Sequence, residues 1–324
     1  GAFTTAAVVY IFNRKKFAPL LRPAILTGFL GYILVALGLV FDLGKYYYIW
    51  HAIIYWQPRS VMFEVAWCVM LYLTVLALEF SPVVFEKFRN ARAQRIIHSI
   101  TIPLVCAGII LSTLHQSSLG SLFLIVPSKL HPLWWTPLLP VMFFVSAVAV
   151  GIGMVIVESS LSTRSFGLKS EAPILADFAK ALPVILGIYF VLKIGDLAYR
   201  GYLGSLFESS VESNMLLLEL LIGVLAPGIM AAIPSLRQNK KTLVSIGALV
   251  VSGVIINRFN VALVGMAAAT GQSYFPSWME ISITAMLVAG GVLVYTFVAE
   301  NFPLFVSHAE PAEADKADKT AQVA

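Results

Sequence analysis

The chain has 324 residues, of which 59% are hydrophobic and 12% are charged, with 22 Lys and Arg against 17 Asp and Glu. A soluble domain carries about twice that share of charged residues, so the composition excludes a water-soluble enzyme as well as a disordered or fibrous protein. The two cysteines, Cys68 and Cys106, lie in apolar segments and belong to no CxxC or Cys/His pattern, the patterns that hold zinc or iron–sulfur clusters. We therefore expect a membrane protein with no metal site of its own.

Apolar segments long enough to cross a bilayer as helices recur along the chain. A short one, 1–12, has the pattern of the end of a span, and eight full segments follow at 23–43, 59–81, 97–115, 137–160, 177–199, 213–235, 242–258 and 278–300. Because the segments are continuous and do not alternate, they predict helices and not barrel strands. The sequence predicts an all-α polytopic bundle of about nine spans, the first of them partial, over residues 1–307. The polar, Ala-rich stretch 308–324 predicts a disordered tail.

Lysine and arginine are concentrated in alternate loops, which indicates that these loops share the cytoplasmic side. They lie at 14–16, 87–95, 164–169 and 237–241, and the C-terminus is then cytoplasmic too. The opposite loops, 44–58 and 116–136, are aromatic and poor in charge. Two interpretations stay open for them: an aromatic belt at the membrane surface, or an apolar surface on which a partner protein docks.

Polar and ionisable side chains recur at the predicted outer ends of six spans. Any one of them is explained as an interfacial residue, but the whole set combines carboxylates with a histidine among Tyr and Trp. That combination suits a quinone head group, since a quinone carbonyl accepts a hydrogen bond and quinol oxidation needs a base. The set is Asp42, Glu64, His115 with Gln116 beside it, Asp196, Arg200, Arg258 and Glu280.

A second, sparser set of ionisable residues lies deeper in the spans or toward their cytoplasmic ends. Charged groups at such depths are costly and often relay protons. The alternative is structural: an ion pair between Lys193 and Glu219, or side chains that reach the membrane surface. The predicted proton path is Lys193, Glu219, Lys180, Glu158 and Glu79.

Several motifs resemble the NrfD/PsrC family of integral membrane quinone-interacting subunits, and within it the ten-span branch represented by HybB, the hydrogenase 2 membrane subunit. The resemblance covers nearly the whole chain in order. The motifs are DLGKYY at 42–47, SVMFEVAWCVMLYLTVLALEFSP at 60–82, LHQSSLGSL at 114–122, LHPLWW at 130–135, KIGDLAYRG at 193–201 and YFPSWMEISIT at 274–284.

This resemblance implies two four-helix bundles in a bacterial inner membrane and a menaquinone or ubiquinone site near the periplasmic face. It implies no haem or iron–sulfur cluster in this chain, and electron exchange with a periplasmic ferredoxin-like iron–sulfur subunit of a hydrogenase or another redox enzyme. It also implies that the chain begins partway through the family's second span. A nucleic-acid partner is not expected, and proton translocation is an open possibility. The competing interpretations are a non-redox transporter and a simple membrane anchor for a peripheral enzyme.

The resemblance also assigns roles to the residues that the charge pattern selects. Catalysis falls to His115, Asp196 and Glu64. Quinone binding falls to those three together with Asp42, Gln116, Arg200 and Glu280.

Overall fold

The structure is a computed structural model that describes residues 1–271 and 274–305. The predicted tail 308–324 lies outside the described residues. Eight described helices are long and apolar enough to cross a membrane, and a shorter apolar helix precedes them. We number them α1 (Ala2–Ile11), α2 (Lys15–Asp42), α3 (Val61–Lys87), α4 (Thr101–Ile125), α5 (Leu139–Ser165), α6 (Ala172–Tyr199), α7 (Val211–Ala232), α8 (Lys240–Thr270) and α9 (Trp278–Asn301). The predicted all-helical, polytopic architecture is confirmed.

The helices form two packed groups and one flanking helix. Helices α1 to α4 pack together as the first bundle, and α5 to α8 as the second. The two bundles meet where α4 lies against α5, and α9 packs on the outside of α2. Any ligand held by both groups must therefore lie beside α4 and α5.

Glycine pairs let the helices of the second bundle approach closely. A Cβ at Gly253 of α8 would lie 2.1 Å from the Cα of Gly223 in α7, so neither position admits a side chain. Gly153 of α5 meets Gly247 of α8 in a similar way, with 3.1 Å between an added Cβ and the facing carbonyl oxygen. Small residues at helix crossings allow such backbone contact in membranes. The two crossings place α8 between α5 and α7.

Helices α4 and α8 continue beyond the predicted outer ends of their apolar segments, which moves two candidate residues from span ends into helix interiors. Helix α4 continues to Ile125 and α8 to Thr270, so the expectation that His115 and Arg258 end their spans is wrong. Polar residues that are typical of a loop sequence find hydrogen-bond partners inside the bundle instead. In α4, for example, the Ser118 hydroxyl donates to Glu64 at 2.6 Å.

The two aromatic loops have different environments. In 44–58 the rings are exposed, with Tyr46 at 59% and Trp56 at 61%. In the other loop, residues 130–136 fold back into the second bundle, and Trp134 and Thr136 are fully buried. We call 130–136 the inserted connector, since it joins α4 to α5.

Candidate functional site

His115 lies at a buried position in α4, facing α2. Its Nδ1 is 2.8 Å from the hydroxyl of Tyr32, and the two groups share a hydrogen bond. The Tyr32 ring packs edge-on against Tyr72 of α3, with 4.7 Å between ring centroids. Three helices of the first bundle thus fix one imidazole and one phenol next to each other.

A cavity of about 200 Å³ adjoins this pair between the two bundles. Tyr32, Tyr72, Ser112 and Gln116 line it from the first bundle, and Arg258 lines it from the second. We call it the inter-bundle cavity. Its wall offers phenol, hydroxyl, amide and guanidinium groups, so hydrogen-bond donors face it from both sides.

Arg258 is held in place from behind by its own bundle. Its guanidinium donates to Asn257 Oδ1 at 2.5 Å, to Ser146 Oγ at 2.9 Å and to the Phe143 carbonyl at 3.3 Å. It also lies 3.6 Å from the centroid of the Phe143 ring, close enough for a cation–π contact. These contacts fix the direction of a charged group that faces the inter-bundle cavity.

Behind Arg258, the carboxylate of Glu219 in α7 accepts four hydrogen bonds. One carboxylate oxygen accepts from Tyr189 at 3.2 Å and from Asn257 at 2.9 Å. The other accepts from Trp134 at 3.3 Å and from Asn260 at 2.8 Å. We call these five residues the Glu219 network. It lies at π-helical turns of α7 and α8, a distortion frequent at functional sites.

Asp196, in the last turn of α6, and Arg200, directly after the end of α6, hold the inserted connector. Asp196 accepts from the Thr136 hydroxyl at 2.6 Å and from Arg200 Nε at 2.9 Å. Arg200 also donates to the Pro132 carbonyl at 2.7 Å, and Lys193 donates to the Leu133 carbonyl at 3.1 Å. The predicted Asp196–Arg200 pair thus acts on the connector and through it on Trp134 of the Glu219 network.

The outer carboxylates of the predicted set do not all converge. Glu64 is exposed and accepts from Ser118, one turn from His115. Glu280 is exposed and caps its own helix, with the Ser277 backbone N–H donating to its carboxylate at 2.6 Å. Asp42 is exposed as well. Glu280 and Asp42 line no part of the inter-bundle cavity.

The residues of the predicted proton path also lie apart from one another. Lys193 and Glu219 are buried, but no direct ion pair joins them within the described ranges, so the predicted pairing is wrong. Lys180 is exposed and pairs with Asp177 at 2.6 Å, which places it outside the helix interior.

Glu158 occupies a buried position in α5, where it accepts from Ser162 at 3.0 Å and from the hydroxyl of Tyr295. Two cavities, of about 380 and 520 Å³, both reach Glu158 and Ser162. Glu79 is half-buried in α3, beside Gly108 of α4. Both carboxylates lie in the half of their helix that ends at a basic loop.

Sequence reasoning missed Tyr32, Asn257 and Asn260, which contact predicted residues directly. A usable signal for the last two was the run INRFN at 256–260, where two amides flank an arginine within an apolar helix. Tyr32 gave no such signal, because a lone tyrosine in an apolar segment is typical of a membrane helix. In the part of the chain that the structure describes, no three His, Cys, Asp or Glu side chains are grouped as a metal site requires.

Comparison with known proteins places this geometry in a family context. The family model "Polysulphide reductase, NrfD" matches residues 1–270. The chain is 32% identical to the probable Ni/Fe-hydrogenase 2 b-type cytochrome subunit of Escherichia coli, over 94% of this chain and 79% of that protein. It is 28% identical to the menaquinone reductase integral membrane subunit of Nitratidesulfovibrio vulgaris, over 96% and 80%. An Hdr-like menaquinol oxidoreductase integral membrane subunit of Archaeoglobus fulgidus is 24% identical, over 91% and 73%.

Proposed function

Because the chain belongs to the polysulphide reductase NrfD family, we propose that it is the quinone-binding membrane subunit of a respiratory redox complex. The relatives named above are membrane subunits of hydrogenase and menaquinone-linked enzymes. Their names favour menaquinone over ubiquinone as the substrate. The chain supplies the site, and redox partner subunits supply the electron carriers.

The inter-bundle cavity is the observation that carries this proposal. A quinone ring has two carbonyl oxygens on opposite edges, and the cavity has donors on opposite walls: Tyr32 and Gln116 on one side and Arg258 on the other. At about 200 Å³ the cavity is smaller than the roughly 300–1,000 Å³ of a typical ligand pocket. It therefore suits a head group whose isoprenoid tail stays between the helices.

The hydrogen bond between Tyr32 and His115 gives the site a route for protons. A quinol hydroxyl donates to the Tyr32 oxygen while Tyr32 donates to Nδ1 of His115, so a proton moves from the cavity wall into α4. Reduction of a quinone uses the same groups in reverse. Glu64, near His115 through Ser118, is positioned to exchange that proton with the outside.

We place the basic loops and the C-terminus on the cytoplasmic side and the loop 44–58 on the periplasmic side. Exposed aromatic rings in that loop, including Tyr46, Trp50 and Trp56, support docking of a periplasmic iron–sulfur subunit there. Trp134, which the sequence also offered for docking, is enclosed by the chain itself. The buried part of the second loop, 130–136, is therefore not available for docking, and we place the docking surface at 44–58.

The test removes one hydroxyl from the cavity wall. In the purified complex, Tyr32→Phe should lower the rate of menaquinol turnover by about tenfold, or about 1.4 kcal/mol in the barrier, and weaken the binding of a head-group analogue. The matched control is Tyr10→Phe, an exposed tyrosine of α1, which should leave both unchanged. Normal turnover and binding in Tyr32→Phe would overturn the site assignment.

A further inference from the structure

A separate cavity of about 410 Å³ lies at the end of the second bundle where α6 begins. The α6 side supplies an apolar wall, Ala172 and Ala176, with Asp177 and Lys180 beside it. The short helix Pro234–Gln238, between α7 and α8, supplies Arg237. We call this the Arg237 cavity. It shares no residue with the inter-bundle cavity or with the two cavities at Glu158.

Arg237 is buried, with 8% of its surface exposed, although it carries a full charge. Its Nη1 donates to the Ala231 carbonyl at 2.5 Å, but its Nε–H finds no partner among residues 1–271 and 274–305. No carboxylate in those ranges lies within ion-pair distance of it. A buried cation without a counter-ion is costly, so the structure leaves a place for an anion.

Among the described residues, Asp177 is the carboxylate of the cavity wall, and both of its oxygens are already bonded. Asp177 Oδ2 binds Lys16 at 2.8 Å and Oδ1 binds Lys180 at 2.6 Å. The two lysines exceed its single charge, and Arg237 adds a third cation. The Arg237 cavity is therefore positive, which selects an anionic ligand.

The depth of the cavity indicates where that anion comes from. Helix α6 has 28 residues, or about 42 Å at 1.5 Å per residue, against a hydrocarbon core of about 30 Å. Its first turn, with Ala172, thus extends to the level of lipid head groups, and the long side chain of Lys180, about two turns further along, reaches toward the same level. Basic pockets between membrane helices at this level bind anionic head groups.

We propose that the Arg237 cavity binds the phosphate group of an anionic phospholipid. Nη2 of Arg237, which no hydrogen bond among the described residues uses, and the ammonium of Lys180 donate to phosphate oxygens, and the glycerol and upper acyl chain lie on the apolar wall at Ala172 and Ala176. This site is independent of the proposed quinone chemistry. It makes lipid a component that joins the start of α6 to the loop between α7 and α8.

The experiment measures lipid binding to the delipidated protein by native mass spectrometry, with phosphatidylglycerol, phosphatidylcholine and inorganic phosphate as probes. Arg237→Gln and Lys180→Gln should each weaken phosphatidylglycerol binding at least fivefold and leave phosphatidylcholine binding unchanged. Lys240→Gln is the matched control, because it removes an exposed cation from the same end of the bundle without touching the cavity. It should bind phosphatidylglycerol as the unaltered chain does.

Two results would overturn the proposal. One is equal phosphatidylglycerol binding in Lys180→Gln and Lys240→Gln; because Lys180 is exposed, its substitution is compatible with folding even if Arg237→Gln is not. The other is displacement of the lipid by excess inorganic phosphate, which would make the cavity a site for free anions. Persistence of the lipid against phosphate supports the proposal.

Discussion

The molecule holds two buried polar groups that differ in how completely their hydrogen bonds are used. In the Glu219 network, a carboxylate receives four donors from α6, α8 and the inserted connector. At the inter-bundle cavity, Tyr32 and Arg258 present polar groups to open space. A buried carboxylate whose oxygens are both bonded rigidifies the core around it, whereas polar groups that face a cavity are available to a ligand.

The two regions are joined through Asn257, which contacts both Glu219 and Arg258. The Glu219 network therefore fixes Arg258, the charged group in the wall of the inter-bundle cavity. The comparison teaches that burial and charge alone do not identify a reactive residue in this fold. The number of unused hydrogen-bond donors and acceptors around a buried residue distinguishes one that supports the fold from one that can act on a ligand.

The largest effect is expected from removing the carboxylate of Glu219, which holds its hydrogen-bonded network together. Glu219→Ala leaves buried amide, indole and phenol donors without an acceptor, and each buried donor left unsatisfied costs about 1–3 kcal/mol. We expect a lower thermal unfolding temperature and poor assembly of the complex. Glu212→Ala, in the first turn of the same helix, should change little. A Glu219→Ala protein that stays stable and has lost only quinone turnover would contradict the view that the Glu219 network supports the fold while the inter-bundle cavity carries the chemistry.

The second largest effect is expected beside the inter-bundle cavity, from the substitution of His115. His115→Ala removes the acceptor for Tyr32 and should cut quinone turnover at least tenfold, about 1.4 kcal/mol in the barrier, in a complex that still assembles. His98→Ala, an exposed histidine of the helix Ala91–Ser99, is the control. Steady-state rates with a soluble quinol analogue measure the difference in turnover between the two variants. An unaltered rate in His115→Ala would show that His115 does not belong to the site.

A third prediction concerns coupling to protons. If Glu158 conducts protons from the basic side, Glu158→Gln should lower quinone-dependent proton uptake in reconstituted vesicles while turnover in uncoupled vesicles stays normal. Glu171→Gln, nearby but bonded to Ser159 at 2.7 Å, serves as the control. Unchanged uptake in Glu158→Gln would favour a structural role for its bonds to Ser162 and Tyr295.

The smallest effect is expected at the surface. Glu86 pairs with Arg22 at 2.8 Å, with both side chains partly exposed. Such pairs contribute about 0–1 kcal/mol, so Glu86→Ala should shift the unfolding temperature only slightly. Because it removes the same functional group as Glu219→Ala, the two melting curves measure directly how much the enclosed network contributes.

Hydropathy predicted the helices well, because lipid requires long apolar helical segments. It misplaced the ends of α4 and α8, since polar residues such as Ser118 and Asn257 find partners inside the bundle. It grouped candidate residues by depth along the membrane normal, which placed Glu280 with His115. Rotation about each helix axis decides which side chains meet, and a single sequence carries little information about it. Tyr32 was missed for that reason.

The inserted connector has a consequence for how the protein is made. Its Thr136, Leu133 and Trp134 are bound by Asp196, Lys193 and Glu219, which are synthesised 60 to 85 residues later. Chains emerge N-terminal end first, so α1 to α4 can pack while the connector still waits at the membrane surface with its indole and carbonyls unpaired. Entry of α6 and α7 then draws it inward. The connector is thus enclosed only after α6 and α7 have been made, and a chain that stops after α5 leaves its buried indole and hydroxyl without their partners.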